Sequence, residues 1–136
     1  MPNVFTYGSL MFAPVWSRVV NGTYASCPAT LHGYQRLAVK GEEYPVAVLA
    51  SAADCIAGRM YYAVNTADMQ RLDMFEGDYY ARLPVMVADG NGKMLAADVY
   101  VLRPEYADIS TGKAWDEEHF RTVGISTFML RYQGFG

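Results

Sequence analysis

The chain has 136 residues, 52% of them hydrophobic and 18% charged, and carries a net charge of −3 at pH 7. That length suits a single domain over residues 1–136 that buries its core without disulfide or metal staples, and the composition excludes intrinsic disorder. No Lys/Arg run marks a nucleic-acid surface, no apolar stretch approaches the ~20 residues that span a bilayer, and no basic segment leading into an apolar one marks a secretory signal. Cys27 and Cys55 have no zinc or redox spacing and read as reduced, part-buried thiols of a cytoplasmic protein. The unusual component is aromatic: 11 Tyr, 6 Phe and 2 Trp make up 14% of the chain, which suits a strand-rich domain, a polar pocket or both.

In chain order, Val4-Phe5-Thr6-Tyr7 reads as a short strand that stops at the turn-forming pair Gly8-Ser9. Pro14 opens a short helix through Val20, and Asn21-Gly22 ends it. Thr23 to Gly33 and Tyr34 to Val39 read as strands, Gly41-Glu42-Glu43-Tyr44-Pro45 as an ordinary surface loop, and Pro45 to Leu49 as a resumed extended run. Cys55 to Val64 is a strand. From Thr66 to Glu76 the period becomes helical, with Met69, Leu72 and Glu76 within ~60° of one another on the wheel and Gly77 just past the end. Tyr79 to Ala88 alternates, Asp89-Gly90-Asn91-Gly92 is a hairpin turn, and Lys93 to Leu102 is the returning strand. Trp115 to Tyr132 reads as mostly helical with an interruption at Gly124, followed by the loop Gln133 to Gly136. Many strands and few helices, without βαβ alternation, predict an α+β fold: a small, mainly antiparallel β-barrel flanked by helices.

Glu76 is the most informative position. It shares the core-facing stripe of its helix with Met69 and Leu72, and it sits at the helix C-terminus. Burial and the helix dipole both push a carboxyl pKa upward there, as a general base working near neutral pH requires. The competing expectation is a frayed helix end with Glu76 in water or paired with Arg82. Tyr7-Gly8-Ser9-Leu10 exposes backbone N–H groups before a possible helix, which suits an anion, or is a plain strand-to-loop turn. Ser9 as a nucleophile lacks a G-x-S-x-G context, and His32 and His119 stand alone, so neither a serine triad nor a metal site is indicated. Tyr80 and Arg82 share one strand face close behind Glu76, from which both could approach its carboxylate, or Arg82 is a structural partner for an acid.

These pieces together resemble the γ-glutamylcyclotransferase-like (AIG2-like) family. The resemblance rests on Val4 to Leu10, ending in Tyr7-Gly8-Ser9-Leu10; on Tyr44-Pro45; on Leu72-Asp73-Met74-Phe75-Glu76-Gly77 followed by Tyr80-Ala81-Arg82; and on Ala97-Asp98-Val99-Tyr100-Val101. It implies a small β-barrel flanked by helices and an enzyme that converts a small γ-glutamyl amine or γ-glutamyl amino acid to 5-oxoproline and a free amine. It implies Glu76 as the catalytic acid/base and Tyr7, Gly8, Ser9 and Leu10 as the substrate-holding loop, with Tyr44, Tyr80 and Arg82 as further pocket positions. No metal, cofactor, nucleic acid or membrane is implied. Two alternatives stand beside it: a non-catalytic small-molecule binding module with the same pocket, and a Ser9-dependent hydrolase. The segment from Trp115 to Tyr132 has no assigned part in the chemistry.

Overall fold

The computed structural model describes residues 1–131. Five strands close a barrel in the order β1-β5-β2-β6-β7: β1 (Val4–Thr6), β2 (Ser26–His32), β5 (Cys55–Tyr61), β6 (Tyr80–Ala88) and β7 (Met94–Leu102). All pairs are antiparallel except the β1–β7 closure at Val4 and Asp98. Beside the barrel lies a second sheet, ordered β4-β3-β8, made of β3 (Tyr34–Val39), β4 (Pro45–Leu49) and β8 (Ser110–Ala114). The expected α+β barrel is therefore present, with an additional three-stranded sheet. β8 was not expected: Ser-Thr-Gly-Lys-Ala is polar and largely exposed, without the alternation that marks a strand, and it is extended by pairing with β3 at the sheet edge.

The β6–β7 hairpin pairs without slippage from Tyr80 with Leu102 to Ala88 with Met94. Its turn is held by Asp89, whose carboxylate accepts the Asn91 and Lys93 N–H groups, both at 2.9 Å. Alternation along β7 separates two cores. Ala97, Val99 and Val101 face the barrel interior with Phe5, Leu31 and Met60, while Tyr100 and Leu102 face an outer core shared with the helices. In that outer core, Trp16 of α1 (Ala13–Val19) stacks on Tyr61 with centroids 3.6 Å apart.

The helix α2 (Thr66–Glu76) has the predicted bounds. Asn65 caps it, accepting the Asp68 N–H at 2.8 Å, and Met69 and Leu72 are its buried stripe. Past its end, Gly77 takes φ +76°, a left-handed conformation that lets the chain turn directly toward β6.

The C-terminal segment begins with a short helix α3 (Glu117–His119), passes through a π-turn (Phe120–Gly124) and continues as α4 (Ile125–Arg131). The predicted interruption at Gly124 is this π-turn; Tyr132 and the loop Gln133 to Gly136 lie outside the described residues. The segment packs on the loop 41–45, which corrects the expectation of an ordinary surface loop. Trp115 Nε1 donates to the Glu43 carbonyl at 2.8 Å, and Arg131 pairs with Glu42 at 3.0 Å. Both cysteines are free thiols; Cys27 is half-buried as expected, whereas Cys55 is exposed at the start of β5, which corrects the expectation that it is part-buried. Among the described residues, no helix is long and apolar enough to cross a membrane.

Candidate active site

A cavity of about 510 Å³ opens where several elements of the fold meet. That volume is within the range of small-molecule sites. β1 and the turn after it contribute Phe5 to Leu10, the loop before β4 contributes Tyr44 and Pro45, and the end of α2 contributes Phe75 and Glu76. Tyr80 and Tyr100 come from the barrel. Seven of the eight residues expected at the site thus line one cavity; the exception is Arg82.

Glu76 reaches the cavity because it continues the buried stripe of α2 by one turn beyond Leu72. The cavity leaves the residue partly accessible, but protein crowds its carboxyl. Burial, and then the negative charge of Asp73 three residues earlier, raise its pKa from the ordinary 4.5 to about 8. No ion pair or side-chain hydrogen bond to another described residue stabilises the carboxylate. The expected direction is present, with burial and Asp73 as its sources.

Gly8, Ser9 and Leu10 line the same cavity as Glu76. A 3-10 turn over Ser9–Met11 begins here, and the Met11 N–H closes on the Gly8 carbonyl at 3.0 Å. The N–H groups of Gly8, Ser9 and Leu10 have no hydrogen-bond partner among the described residues. Three successive donors of this kind suit a carboxylate or a developing oxyanion. Gly8 is required for a reason internal to the protein: a Cβ there would lie 2.6 Å from Cδ of Pro45. The Tyr-Gly and Tyr-Pro motifs, far apart in sequence, therefore fit together as one packed unit.

The tyrosine hydroxyls are largely committed to the framework. Tyr7 Oη donates to the Tyr100 carbonyl at 2.5 Å and accepts the Ala47 N–H at 3.1 Å, tying the barrel to the second sheet. Burial and the nearby Glu76 charge hold its proton on well above the usual phenol range. Tyr80 Oη donates to the Pro45 carbonyl at 2.8 Å, a second tie between the sheets. Tyr100 Oη donates to Asp73 at 2.6 Å, and its pKa is raised by burial and by that carboxylate.

Arg82 corrects the expectation of a pocket position and is instead a structural partner for acids. It does not line the cavity, and it does not pair with Glu76. Its guanidinium bonds Asp73 at 2.9 Å and Asp98 at 2.9 Å on the outer side of the barrel, where two carboxylates compete for it successfully. The cation that does support the loop is Arg36 of β3, unrecognised from sequence. Its guanidinium donates to the Tyr7 carbonyl at 2.9 Å, is 3.4 Å from Glu117, and lies over the Trp115 ring at 5.1 Å.

Phe75, Tyr79, Tyr100, Tyr106 and Phe128 also line the cavity, as an aromatic wall that was not expected from sequence. Phe75 and Tyr100 stood inside motifs already quoted, so their neighbourhood was a signal. Tyr106 sits in a 3-10 stretch (Pro104–Ile109) with no periodicity. Phe128 had only its spacing from Phe120, with which it packs at 5.7 Å. The cavity lining contains no histidine, lysine or arginine among the described residues, so Ser9 has no such base beside it.

Comparison with known proteins gives the arrangement a context. Residues 4–117 match the family model described as "Gamma-glutamyl cyclotransferase, AIG2-like". Protein AIG2 C of Arabidopsis thaliana is 31% identical over 132 residues, covering 96% of this chain and 79% of that protein. The solution structure of an Arabidopsis thaliana protein, 30% identical, superposes with a TM-score of 0.74 over 96% of this chain and 78% of the other. A structure titled gamma-glutamyl cyclotransferase shares the fold, with a TM-score of 0.63 at 20% identity over 75% of this chain and 66% of that one. The chain belongs to the gamma-glutamyl cyclotransferase, AIG2-like family.

Proposed function

We propose that the protein, acting as one domain over residues 1–136, is a cyclotransferase that closes a γ-glutamyl group to 5-oxoproline and releases the attached amine. The observation that carries this reading is Glu76: a carboxyl with a pKa of about 8 on the wall of a cavity that also holds three N–H groups without a hydrogen-bond partner among the described residues.

The substrate arrives with its α-amine as an ammonium, which cannot attack. The α-amine sits beside the substrate's own α-carboxylate and is more basic than a peptide N-terminus, and the raised pKa of Glu76 brings the carboxylate far closer to it than an ordinary glutamate would be, so the proton transfer costs less. A crowded carboxyl favours the resulting neutral pair over the ion pair. The freed nitrogen lone pair then attacks the γ-carbonyl carbon of the same molecule and forms the ring C–N bond. The carbonyl electrons move onto oxygen, where one N–H group of the Gly8–Leu10 turn can receive them while the others hold the substrate's α-carboxylate. Collapse breaks the C–N bond to the leaving nitrogen, which takes the proton held by Glu76; the second proton on the ring nitrogen then passes through the freed Glu76 carboxylate to the departing amine, which leaves as an ammonium. The bonds and protons balance, nothing is oxidised, and Glu76 ends as it began. Because the nucleophile is tethered to its target, the site contributes mainly by folding the substrate into attack geometry.

The test is to incubate the purified protein with a panel of γ-glutamyl amines and γ-glutamyl peptides and quantify products by mass spectrometry. The proposal expects 5-oxoproline and free amine in equal amounts, above the rate of spontaneous cyclisation. Binding without release from any member of the panel would overturn it in favour of a non-catalytic binding module.

A further inference from the structure

We infer that the conjugate this cavity takes is the γ-glutamyl derivative of an apolar amine without a carboxylate, and that Phe128 of α4 helps to select it. The inference rests on the cyclotransferase reading for the glutamyl half of the ligand and adds the identity of the other half.

The first argument is charge. The carboxylic acids lining the cavity are Glu76 and Asp78, and among the described residues no lysine, arginine or histidine lines it. Residues 132–136, Tyr-Gln-Gly-Phe-Gly, contain none either. A γ-glutamyl amino acid brings two carboxylates. The N–H groups at Gly8, Ser9 and Leu10 suit one of them, and no lining cation is available to the second. Desolvating an unpaired carboxylate beside two acids is costly, whereas an amine without a carboxylate avoids that cost.

The second argument is the wall. Phe75 adjoins Glu76 in sequence, and its ring packs edge-on against Phe128 with centroids 6.0 Å apart. Tyr79 packs edge-on against Tyr106 at 4.9 Å. These four rings line the cavity, Phe75 beside the residue that would protonate the leaving amine, and give that amine's body apolar area to lie against. The third argument is size. At roughly 30 Å³ per water-sized unit, about 510 Å³ holds about seventeen non-hydrogen atoms. A γ-glutamyl acyl group uses about nine of these, leaving space for an amine the size of an arylalkylamine.

Phe128 is the specific candidate because the family match ends at residue 117. Phe128 is 3% exposed and lines the cavity from a segment beyond that match, so it adds a wall that the matched region does not itself supply.

The test pairs γ-glutamyl phenethylamide with γ-glutamylphenylalanine, which differ by one carboxylate, and includes γ-glutamyl methylamide. Rates of 5-oxoproline release are measured with the wild-type protein, and affinities by calorimetry with Glu76→Gln, which binds without turnover under the proposed mechanism. The expected result is a preference of at least ~10-fold for the phenethylamide over the phenylalanine conjugate. The phenethylamide-to-methylamide ratio should shrink about 3- to 10-fold in Phe128→Ala, with Phe128→Leu as the milder variant should the alanine form not fold. An equal or reversed carboxylate preference, or an unchanged ratio in a folded Phe128 variant, overturns the inference. Absence of 5-oxoproline release would remove the reaction, while the affinities would still decide ligand selection: tighter phenethylamide binding sustains it, and no difference or no binding overturns it.

Discussion

Replacing Glu76 by Gln should stabilise the protein at pH 8 while leaving it nearly unchanged at pH 4. The native carboxyl holds its proton up to about 8, whereas the ordinary value is 4.5. Across that window the folded chain binds more protons than the unfolded one, so stability falls as pH rises from 4.5 to about 8. Below the window both states are protonated and the difference disappears. At ~1.36 kcal/mol per pKa unit the full displacement corresponds to roughly 5 kcal/mol. Glu76 keeps some solvent access through the cavity, which lowers that figure to about 1–3 kcal/mol. Glutamine has the shape of the neutral acid and no charge to desolvate, so it recovers this amount. For a chain of this size, 1 kcal/mol shifts Tm by roughly 3–5 °C, so Glu76→Gln should melt ~3–15 °C above wild type at pH 8. Thermal unfolding by circular dichroism at pH 4, 6 and 8 measures the difference. An equal or lower Tm at pH 8, or a gap independent of pH, would refute the buried-acid reasoning. A functional group that destabilises its own fold is the expected signature of an active site.

Gly8→Ala should lose most 5-oxoproline release and about 1–3 kcal/mol of stability, because its methyl group meets the Pro45 ring at 2.6 Å and the loop must shift; kinetics and denaturant unfolding report the two losses. Tyr7→Phe removes the hydroxyl that joins the Tyr100 carbonyl to the Ala47 N–H, so urea unfolding should show a loss of about 1–3 kcal/mol. Asp68→Asn tests a carboxylate that took no part in the sequence argument. Burial alone would raise its pKa, but hydrogen bonds from the Asn21 and Gly22 N–H groups, Tyr24 and Arg71 more than offset this and lower it. Its contribution is therefore present above the unfolded value of ~3.9 and lost as pH falls through the lower folded value. The variant should lose about 2–3 kcal/mol at pH 7, and the deficit should shrink in acid; a pH-independent deficit would contradict the ion's role.

The parts of the fold written in local periodicity were legible. α2 has its cap, its Met69 and Leu72 stripe and its Gly77 stop in one short run, and the β6–β7 hairpin has alternation on both sides of Asp89-Gly-Asn-Gly. Glu76 was legible for the same reason, since a carboxylate on an apolar stripe contradicts its surroundings unless the site uses it. What local pattern does not encode is competition between distant partners. Arg82 is near Glu76 along the chain, but Asp73 and Asp98 hold it elsewhere. Arg36 supports the Tyr7 carbonyl from a strand in the other sheet, and Phe128 reaches the cavity from the far end of the chain. β8 was illegible because its pairing partner, and not its own residues, makes it a strand.

The central claim is that Glu76 moves the proton in a ring-closing release of 5-oxoproline. Its most direct test is the rate of that release from one γ-glutamyl amide by wild type and by Glu76→Gln, each shown to be folded and to bind the amide. The account predicts turnover in the wild type and a loss of at least ~10²-fold in the variant. Near-normal release by folded Glu76→Gln would contradict it.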